Sequence, residues 1–548
     1  MNLSFLIRRW NFITGIIFLA ILVCGCRNES EQDKEFSEDL RNGIVISMGS
    51  SKELEPILYE STEAKLFQKD SVIAFYLERD FKPAWTNINF RNSLIDTLKS
   101  AHSQGLYFKD YHGEELEKQL LELSTLDKKE LSELDMLLTD AFFKFMDHLY
   151  NGKVDPKSVH RIWDVSKKQH SKLKLLEKAV KENNLEIALS QLRPVHPVYK
   201  DLIAAEKEYR KLKEDAEDFK KIEKGVKIKP GNQDIRLQEI QFRLLQLGYL
   251  KSLKIGGSQY DNETVDAIKK IQEAYGLLAD GIIGDKTVDL LNKGYDQRYG
   301  QILVNLERWR WFPRDLGSHY ILVNIANFKL QVVREKDTIS TYKTIVGRVS
   351  RKTPIFSEEI DHLIFNPSWT IPPTIKNNDV IPGVRKNLDY LSNKNIQVYN
   401  TKGEKLDPSK IDWTKSEVKS FSYRQPPGNS NPLGKVKIMY PNSYLIYLHD
   451  TPSQSIFDQN SRAQSSGCIR VENAIDLSKY LLRDQPEYTS ELLDSIINRG
   501  VIKRIDMKQK VNIHHFYWTA WRENGETIFT DDIYNYDEAT LQALKKAS

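Results

Sequence analysis

A histidine and a cysteine in the C-terminal half of the chain have the types and spacing that suit covalent catalysis. His449 ends the apolar run Tyr447-Leu448, and Cys468 follows after 18 intervening residues. A free thiol of pKa ~8.5 is only slightly ionised at neutral pH, so a nucleophilic cysteine needs an imidazole or a helix N-terminus beside it. We expect His449 at the end of a strand and Cys468 in a small-residue turn before a helix near Asn473. The pair predicts a thiol nucleophile with a histidine base.

The turn around Cys468 offers further groups for such a reaction. Ser466 and Gly467 leave room for backbone amides to face a developing oxyanion, which contributes roughly 3 kcal/mol per donor in comparable sites. Arg470 is placed either to bind a substrate carboxylate or to brace the loop. The alternative is a hydrogen-bonded core histidine and an inert buried thiol, which is the commoner state of an arbitrary His and Cys pair.

The first 26 residues have the layout of an export signal. Arg8 and Arg9 precede an apolar run over 12–23, which is shorter than the ~20 residues of a spanning helix. The run ends in Val-Cys-Gly-Cys and resembles a bacterial lipobox with Cys26 as the lipidated residue. We therefore expect a lipoprotein signal peptide at 1–26 and a protein anchored by lipid in the bacterial cell envelope, facing the periplasm, with the outer membrane favoured. An uncleaved anchor helix is the alternative.

The composition is that of a folded protein with several domains. The chain has 548 residues, 28% of them charged, and a formal net charge of +4. This length suits about three or four domains. No long basic block and no basic helix studded with aromatic residues is present, so nucleic acid is excluded as the expected partner.

Hydrophobic periodicity divides the chain into an α-helical part and a β-rich part. Apolar residues at spacings of three and four predict a helical scaffold domain over 45–225 and a module of three short helices over 231–296. Alternation then predicts strands, among them 344–346, 362–365, 436–439 and 444–448. We expect a mostly-β domain over 300–510, an insertion at 376–420 and a C-terminal extension at 511–548. The fold class is therefore multidomain α+β.

Longer sequence strings resemble one family of cell-wall enzymes. The string SSGCIR around Cys468, with the histidine before it, resembles the L,D-transpeptidase catalytic domain of the YkuD type. NPSWTIPPTI (366–375) and AFYLERDFKPAWT (74–86) are similar to the large multidomain subgroup typified by YcbB. QFRLLQLGYL and ADGIIGD resemble the peptidoglycan-binding module of such enzymes. A generic three-helix spacer is the alternative for that module.

The resemblance implies a role for each site residue. Cys468 would be the nucleophile, His449 the general acid and base, and Gly467 a backbone contributor to the oxyanion site. Substrate contacts would come from five further residues: Ser465, Ser466, Arg470, Tyr447 and Trp369. The insertion would cover the substrate, and peptide stems of peptidoglycan would be joined by 3→3 cross-links with release of D-Ala. Two positions depart from the family pattern, because Ser466 replaces a frequent histidine and Asp450 replaces a frequent glycine.

Other activities have less support in the sequence. An L,D-carboxypeptidase acting on the same stems and a non-catalytic lipoprotein that binds peptidoglycan both remain open, whereas a sortase-like transpeptidase fits the spacing poorly. His514 and His515 are adjacent on a predicted strand and point to opposite faces, so we expect no metal site. Neither a P-loop nor a clear dinucleotide motif occurs, and no cofactor is expected. Peptidoglycan stems and glycan, together with a membrane reached through the lipid, are the expected partners.

Overall fold

The computed structural model describes residues 66–160, 162–164, 170–214, 220–253, 258–275, 277–523 and 525–546. The predicted signal peptide with Cys26 and the start of the predicted scaffold domain lie outside these residues. The described chain forms two compact units. The first contains residues up to 151 together with 170–193, and the second contains 152–164 and 194–546. Within the described ranges, no helix is both long enough and apolar enough to cross a membrane.

The first unit is helical throughout. Its helices are α1 (Lys69–Glu78), α2 (Ile88–Lys99), α3 (Gly113–Leu121), α4 (Lys128–Asn151), α6 (Lys172–Glu182) and α7 (Glu186–Leu192), while α5 (Pro156–Val159) belongs to the second unit. The long α4 packs its apolar face into the centre of the core. Its buried Asp135 accepts hydrogen bonds from the backbone N–H groups of Ala84 and Trp85 and from the Tyr76 hydroxyl. These bonds satisfy a carboxylate that would otherwise be costly to bury.

The remaining helices lie in the second unit. They are α8 (Pro197–Glu214), α9 (Leu237–Gln246), α10 (Asn262–Ala274), α11 (Asp285–Leu291), α12 (Tyr295–Trp311), α13 (Pro373–Ile375), α14 (Ile381–Lys386), α15 (Asp389–Asn393), α16 (Ala474–Leu481), α17 (Ser490–Arg499) and α18 (Asp537–Lys545). Helices α9, α10 and α11 are the three predicted for the small module. Asp261 caps α10 by accepting a hydrogen bond from the Thr264 N–H.

Sixteen strands are described, all in the second unit. They are β1 (Trp163–Asp164), β2 (His319–Asn324), β3 (Lys329–Arg334), β4 (Asp337–Gly347), β5 (Ile355–Phe365), β6 (Trp369–Thr370), β7 (Gln397–Tyr399), β8 (Lys405–Leu406), β9 (Ser422–Gln425), β10 (Val436–Met439), β11 (Leu448–His449), β12 (Ala463–Ser465), β13 (Ile469–Val471), β14 (Lys503–Phe516), β15 (Ala520–Glu523) and β16 (Glu526–Phe529). The predicted multidomain α+β organisation is confirmed.

The main sheet runs in the order β1-β5-β10-β11-β13-β4-β3-β2-β14. Strand β14 pairs with β2 and also with β5, so the sheet closes on itself. This 14-residue strand pairs with β5 on both sides of an irregularity between Asp506 and Val511, and its last five residues also pair with β2. The closed sheet holds β11, the strand of His449, between β10 and β13.

The structure differs from the sequence prediction in three places. The strand predicted over 444–448 is mostly an irregular loop and only Leu448 lies in a strand, because the Asn442 side chain hydrogen-bonds the backbone of Tyr444 and Ile446. The main sheet continues past the predicted boundary at 510 to Phe516, since 511–516 are hydrogen-bonded to β2 and β5. The inserted segment includes β6 and β9 on either side of 376–420, and it has a small core of its own.

Candidate active site

Sheet register places five polar or reactive side chains on one face of the closed sheet. His449 on β11 is paired with Lys437 on β10 and with Arg470 on β13. Tyr447 and Cys468 lie two residues before His449 and Arg470, and side chains two positions apart share a face. The intervening residues of these strands point to the other face, where they form the domain core.

His449 and Cys468 are diagonal neighbours across adjacent strands. The strand spacing of ~4.8 Å and a two-residue offset put their Cα atoms about 8 Å apart, which an imidazole and a thiol directed toward each other can span. Cys468 lies immediately before β13, and this strand separates it from α16. The helix predicted near Asn473 is confirmed, because Asn473 is the N-cap of α16, but the short strand β13 before it was not predicted. The register gives the thiol an imidazole as a neighbour on the adjacent strand, whereas α16 begins beyond β13.

His449 is held as a neutral base. Its Nδ1 lies 2.6 Å from the Asp450 carbonyl oxygen, which fixes Nδ1 as the donor and leaves Nε2 with a free lone pair. Burial, followed by the positive charge of Arg470, lowers the pKa of His449 to about 3. The imidazole is consequently unprotonated at physiological pH and can accept a proton.

The Asp450 side chain supports this arrangement. Its carboxylate accepts a hydrogen bond from the Lys435 N–H at 2.8 Å and lies against Gly434, where an added Cβ would be 2.2 Å from a carboxylate oxygen. Gly434 also has a φ of +61°, which favours glycine. Asp450, which replaces a glycine that is frequent in the family, thus fixes the loop through its side chain. The backbone carbonyl of the same residue orients His449.

Cys468 is partly exposed at the end of a tightly bonded turn. Gly467 has a φ of +119°, and its carbonyl accepts a hydrogen bond from the Thr353 hydroxyl at 2.7 Å. The Ser465 hydroxyl donates to the Cys468 carbonyl at 2.6 Å and accepts from the Gly467 N–H at 3.1 Å. Ser465 is buried, so a substrate contact by its hydroxyl would require these bonds to break. The Gly467 amide is likewise already engaged, and its oxyanion role stays a prediction.

The thiol is not ionised by its surroundings in the resting state. Burial raises the pKa of Cys468, and hydrogen bonding to Tyr447 with the charges of Lys437 and Arg470 offsets only part of that effect. The thiol proton is directed at the Leu445 carbonyl oxygen, 3.8 Å away. A neutral thiol on the same face as a neutral imidazole suits general base catalysis, in which the thiol proton would be transferred as the sulfur attacks.

Tyr447 lies between the candidate catalytic residues and the inserted segment. Its ring centroid is 5.7 Å from that of His449. Burial, followed by the nearby Cys468, raises the pKa of its hydroxyl, whereas Trp369, the first residue of β6, lowers it. The Lys437 ammonium lies 3.8 Å from the centroid of the Tyr447 ring. The structure therefore brings together Cys468, Tyr447 and Trp369, which are predicted site residues. It also places Lys437 at the site, which the sequence did not predict. The alternation of the 436–439 strand would have placed Lys437 on the polar face.

A model of the L,D-transpeptidase catalytic domain, YkuD, matches residues 318–513, which contain all of these side chains. Residues 318–513 are a YkuD L,D-transpeptidase catalytic domain. Models of a peptidoglycan binding domain and of a scaffold domain match residues 234–291 and 70–205. The YcbB-like subgroup stays a prediction.

The chain is also similar to a curated protein of Haemophilus influenzae named as an L,D-transpeptidase. The two are 34% identical over 238 residues, or 43% of this chain, and the chain spans about half (48%) of that relative. Two solved structures that share 10% and 15% sequence identity with this chain were also found. They are the avibactam carbamoyl enzyme of Ldtfm (TM-score 0.19, 38% of this chain and 51% of that one) and an L,D-transpeptidase of Xylanimonas cellulosilytica (0.18, 54% and 99%). At these TM-scores neither likeness bears on the fold.

The inserted segment of the transpeptidase domain is tied to the cysteine turn by one arginine. Arg351 donates hydrogen bonds at 2.7 and 3.2 Å to the two carboxylate oxygens of Asp379, within the insertion, and one at 3.0 Å to the Ser466 hydroxyl. Bidentate pairs of this kind are strong and directional. Ser466, predicted as a substrate contact, is exposed and connects the turn to the insertion through Arg351.

In the transpeptidase domain, the two adjacent histidines considered as metal ligands have structural roles. His514 contacts Ser357 and the Leu316 carbonyl, whereas His515 contacts Tyr440 and the Pro354 carbonyl. The described residues include no cluster of three or more His, Cys, Asp or Glu side chains that could hold a metal ion.

Proposed function

We propose that the protein is a peptidoglycan L,D-transpeptidase that forms 3→3 cross-links through a thioester on Cys468. The observation that carries the proposal is the single face shared by a partly exposed thiol and a neutral, oriented imidazole within a domain that matches the L,D-transpeptidase model. The substrate and the reaction rest on that match and on the chemistry of this face.

In the first half-reaction, Cys468 acts on a tetrapeptide stem. Its sulfur attacks the carbonyl carbon of the third residue, diaminopimelate, while the thiol proton passes to Nε2 of His449. The C–N bond to D-Ala then breaks, and the departing amine takes that proton from the imidazolium. Free D-Ala leaves, and a thioester joins the stem to the enzyme.

In the second half-reaction, an amine replaces the thiol. The side-chain amine of diaminopimelate in a neighbouring stem attacks the thioester carbonyl and gives a proton to Nε2 of His449. The C–S bond breaks, and the proton returns to the sulfur. If water attacks instead, the same site acts as an L,D-carboxypeptidase.

Two cations on the reaction face suit a substrate that carries carboxylates. The Arg470 Nε is buried and lacks a hydrogen-bond partner, so it has a donor available for an incoming acceptor. Lys437 lies on the same face and is electrostatically coupled to Cys468. The stem carries carboxylates on D-Ala and on diaminopimelate, either of which would satisfy one of these groups.

Export and membrane attachment complete the proposal on the evidence of the sequence. Arg8, Arg9 and the following apolar run would direct export, and lipid on Cys26 would hold the enzyme at a membrane of the cell envelope. Palmitate labelling of cells expressing the wild-type chain and Cys26→Ala tests this directly. Label retained in the variant would contradict lipidation at Cys26.

The activity is tested with purified tetrapeptide muropeptides and the full chain in detergent. We expect dimers that have lost one D-Ala, and Cys468→Ala should yield none. Tripeptide without dimers would favour the carboxypeptidase, and no change in the substrate would contradict both activities.

A further inference from the structure

The chain between β4 and β5 packs directly against the cysteine turn. We call residues 347–353 the support loop. A Cβ added to Gly467 would lie 3.8 Å from the Lys352 carbonyl oxygen and 4.0 Å from that of Arg351. The loop is tightly folded, because a Cβ added to Gly347 would lie only 2.2 Å from the Arg351 carbonyl oxygen. The conformation of the support loop therefore limits where the cysteine turn can lie.

Thr353 connects the support loop to the residue that precedes the thiol. Its buried hydroxyl donates a hydrogen bond to the Gly467 carbonyl oxygen at 2.7 Å and accepts one from the Gly347 N–H at 2.9 Å. The Gly467 carbonyl and the Cys468 N–H belong to one planar peptide group. The Thr353 hydroxyl consequently also sets the direction of the Cys468 N–H, and an amide next to a nucleophile can stabilise a developing oxyanion.

The hydroxyl of Tyr534 joins the two ends of the support loop. It donates a hydrogen bond to the Gly347 carbonyl oxygen at 2.5 Å and accepts one from the Thr353 N–H at 3.1 Å. Burial raises the pKa of Tyr534 to about 12, so this hydroxyl keeps its proton at physiological pH. Because it binds the backbone of both Gly347 and Thr353, it fixes the segment that presents the Thr353 side chain.

Tyr534 is itself held firmly, in a part of the chain beyond the catalytic-domain match, which ends at 513. It is 1% exposed, and its N–H donates a hydrogen bond to the Tyr517 hydroxyl at 2.8 Å. The Lys352 ammonium donates to the Tyr534 carbonyl oxygen at 2.8 Å and lies 4.2 Å from the centroid of the Tyr536 ring. The predicted C-terminal extension therefore grips the support loop at several points.

We propose that Tyr534 is a positioning residue for the reaction at Cys468, acting through the support loop and Thr353 on the peptide group between Gly467 and Cys468. This inference rests on the proposed function. The C-terminal extension then has a role in catalysis, although it touches no reacting atom. A residue that aligns a donor for developing charge affects the transition state more than substrate binding, so its loss should change kcat rather than KM.

The test uses substitutions that remove single hydroxyl groups. Tyr534→Phe keeps the ring, Thr353→Val keeps the shape of the side chain, and Thr353→Ser keeps the hydroxyl. Tyr295→Phe is the matched control, because Tyr295 is also buried, donates to a backbone carbonyl oxygen and lies outside both matched functional domains. For the full chain in detergent, we would measure the Tm, hydrogen exchange over 463–469, and kcat and KM for D-Ala release from tetrapeptide.

We expect Tyr534→Phe and Thr353→Val to exchange faster over 463–469 and to lower kcat about tenfold with KM unchanged. Thr353→Ser should keep the wild-type kcat. Tyr295→Phe should lower the Tm about as much as Tyr534→Phe does, with unchanged kcat. An unchanged kcat in Tyr534→Phe, or an equal loss of kcat in Tyr295→Phe, would overturn the inference.

Hydrogen exchange separates failure of this inference from failure of the proposed function. If the wild-type chain releases no D-Ala, the proposed function is refuted, while faster exchange over 463–469 in Tyr534→Phe would still show that this hydroxyl holds the cysteine turn. If the wild-type chain releases D-Ala and exchange over 463–469 is unchanged in Tyr534→Phe, the proposed function stands and the positioning role is refuted.

Discussion

The Lys437 ammonium lies 3.8 Å from the centre of the Tyr447 ring, which shares the reaction face with the Cys468 thiol. Burial lowers the pKa of Lys437, and the neighbouring thiolate would favour its charged form. The cation is therefore positioned where negative charge develops when the thiol loses its proton. Lys437 is therefore placed to stabilise a thiolate on Cys468 through space, and its ammonium also packs on the Tyr447 ring.

Replacing Lys437 by methionine should slow reactions of the thiol. The cation lowers the pKa of Cys468, so its loss should raise that pKa and reduce the thiolate fraction at neutral pH. We expect alkylation by iodoacetamide at pH 7 to slow about fivefold and its pH dependence to move to higher pH. Lys510→Met, which removes an exposed cation paired with Glu359, is the control. Unchanged alkylation in Lys437→Met would exclude this role.

The pH profile of the enzyme should lack an acid limb from His449 in the neutral range. A general base works only when it is unprotonated, and burial with Arg470 lowers the pKa of His449 to about 3. Protonation of this imidazole should therefore reduce kcat/KM only as the pH falls toward that value. His449→Asn should cost about 10²- to 10⁴-fold in rate. A histidine-dependent limb near pH 6.5 would contradict the neutral, buried imidazole.

Gly434→Ala should impair catalysis without touching a reacting group. The new Cβ would clash with the Asp450 carboxylate, whose residue orients His449, and an error of about 1 Å there can cost roughly 10²-fold. Gly403→Ala is the matched control, because Gly403 also has a positive φ of +84° but has nothing within 4 Å of the added atom. Similar activities of the two variants, measured as D-Ala release, would show that the Asp450 loop does not position the histidine.

Asp379→Asn should loosen the insertion and make the reaction with the tetrapeptide donor less efficient. The carboxylate receives two hydrogen bonds from Arg351, which also holds Ser466 beside the cysteine. We expect faster hydrogen exchange over 369–425 and a kcat/KM for tetrapeptide lowered about tenfold, since hydrogen bonds to charged groups contribute roughly 1.5–3 kcal/mol. Asp412→Asn, whose carboxylate bonds only the neighbouring Thr414 among the described residues, should leave both unchanged. If hydrogen exchange over 369–425 is unchanged in Asp379→Asn, the Arg351–Asp379 contact does not hold the insertion in place.

The sequence predicted the parts of the fold that follow from local patterns. The helices of the small module, strand 436–439 and the position of His449 at a strand end all agree with the structure. Long-range pairing could not be predicted in this way. Sheet closure by β14 and the contact of Arg351 with Asp379 join segments far apart in the chain.

Residue roles at the site that the sequence did not predict also depend on how segments pair in the folded chain. In the sequence, Lys437 is an ordinary polar residue of an alternating strand. Only its register with His449 shows that it lies near the thiol. Ser465 and Gly467 are predicted to take part in the reaction, yet the Ser465 hydroxyl and the Gly467 amide are hydrogen-bonded within the turn. Such bonds depend on the backbone conformation at Gly467, which residue types do not specify.

The most direct test of the account is mass spectrometry of tetrapeptide muropeptides incubated with the wild-type chain, Cys468→Ala and Cys468→Ser. For the wild type we expect an acyl-enzyme on Cys468, free D-Ala and cross-linked dimers that have lost one D-Ala. Both variants should lack all three products. Release of D-Ala by Cys468→Ala would show that this thiol is not the nucleophile.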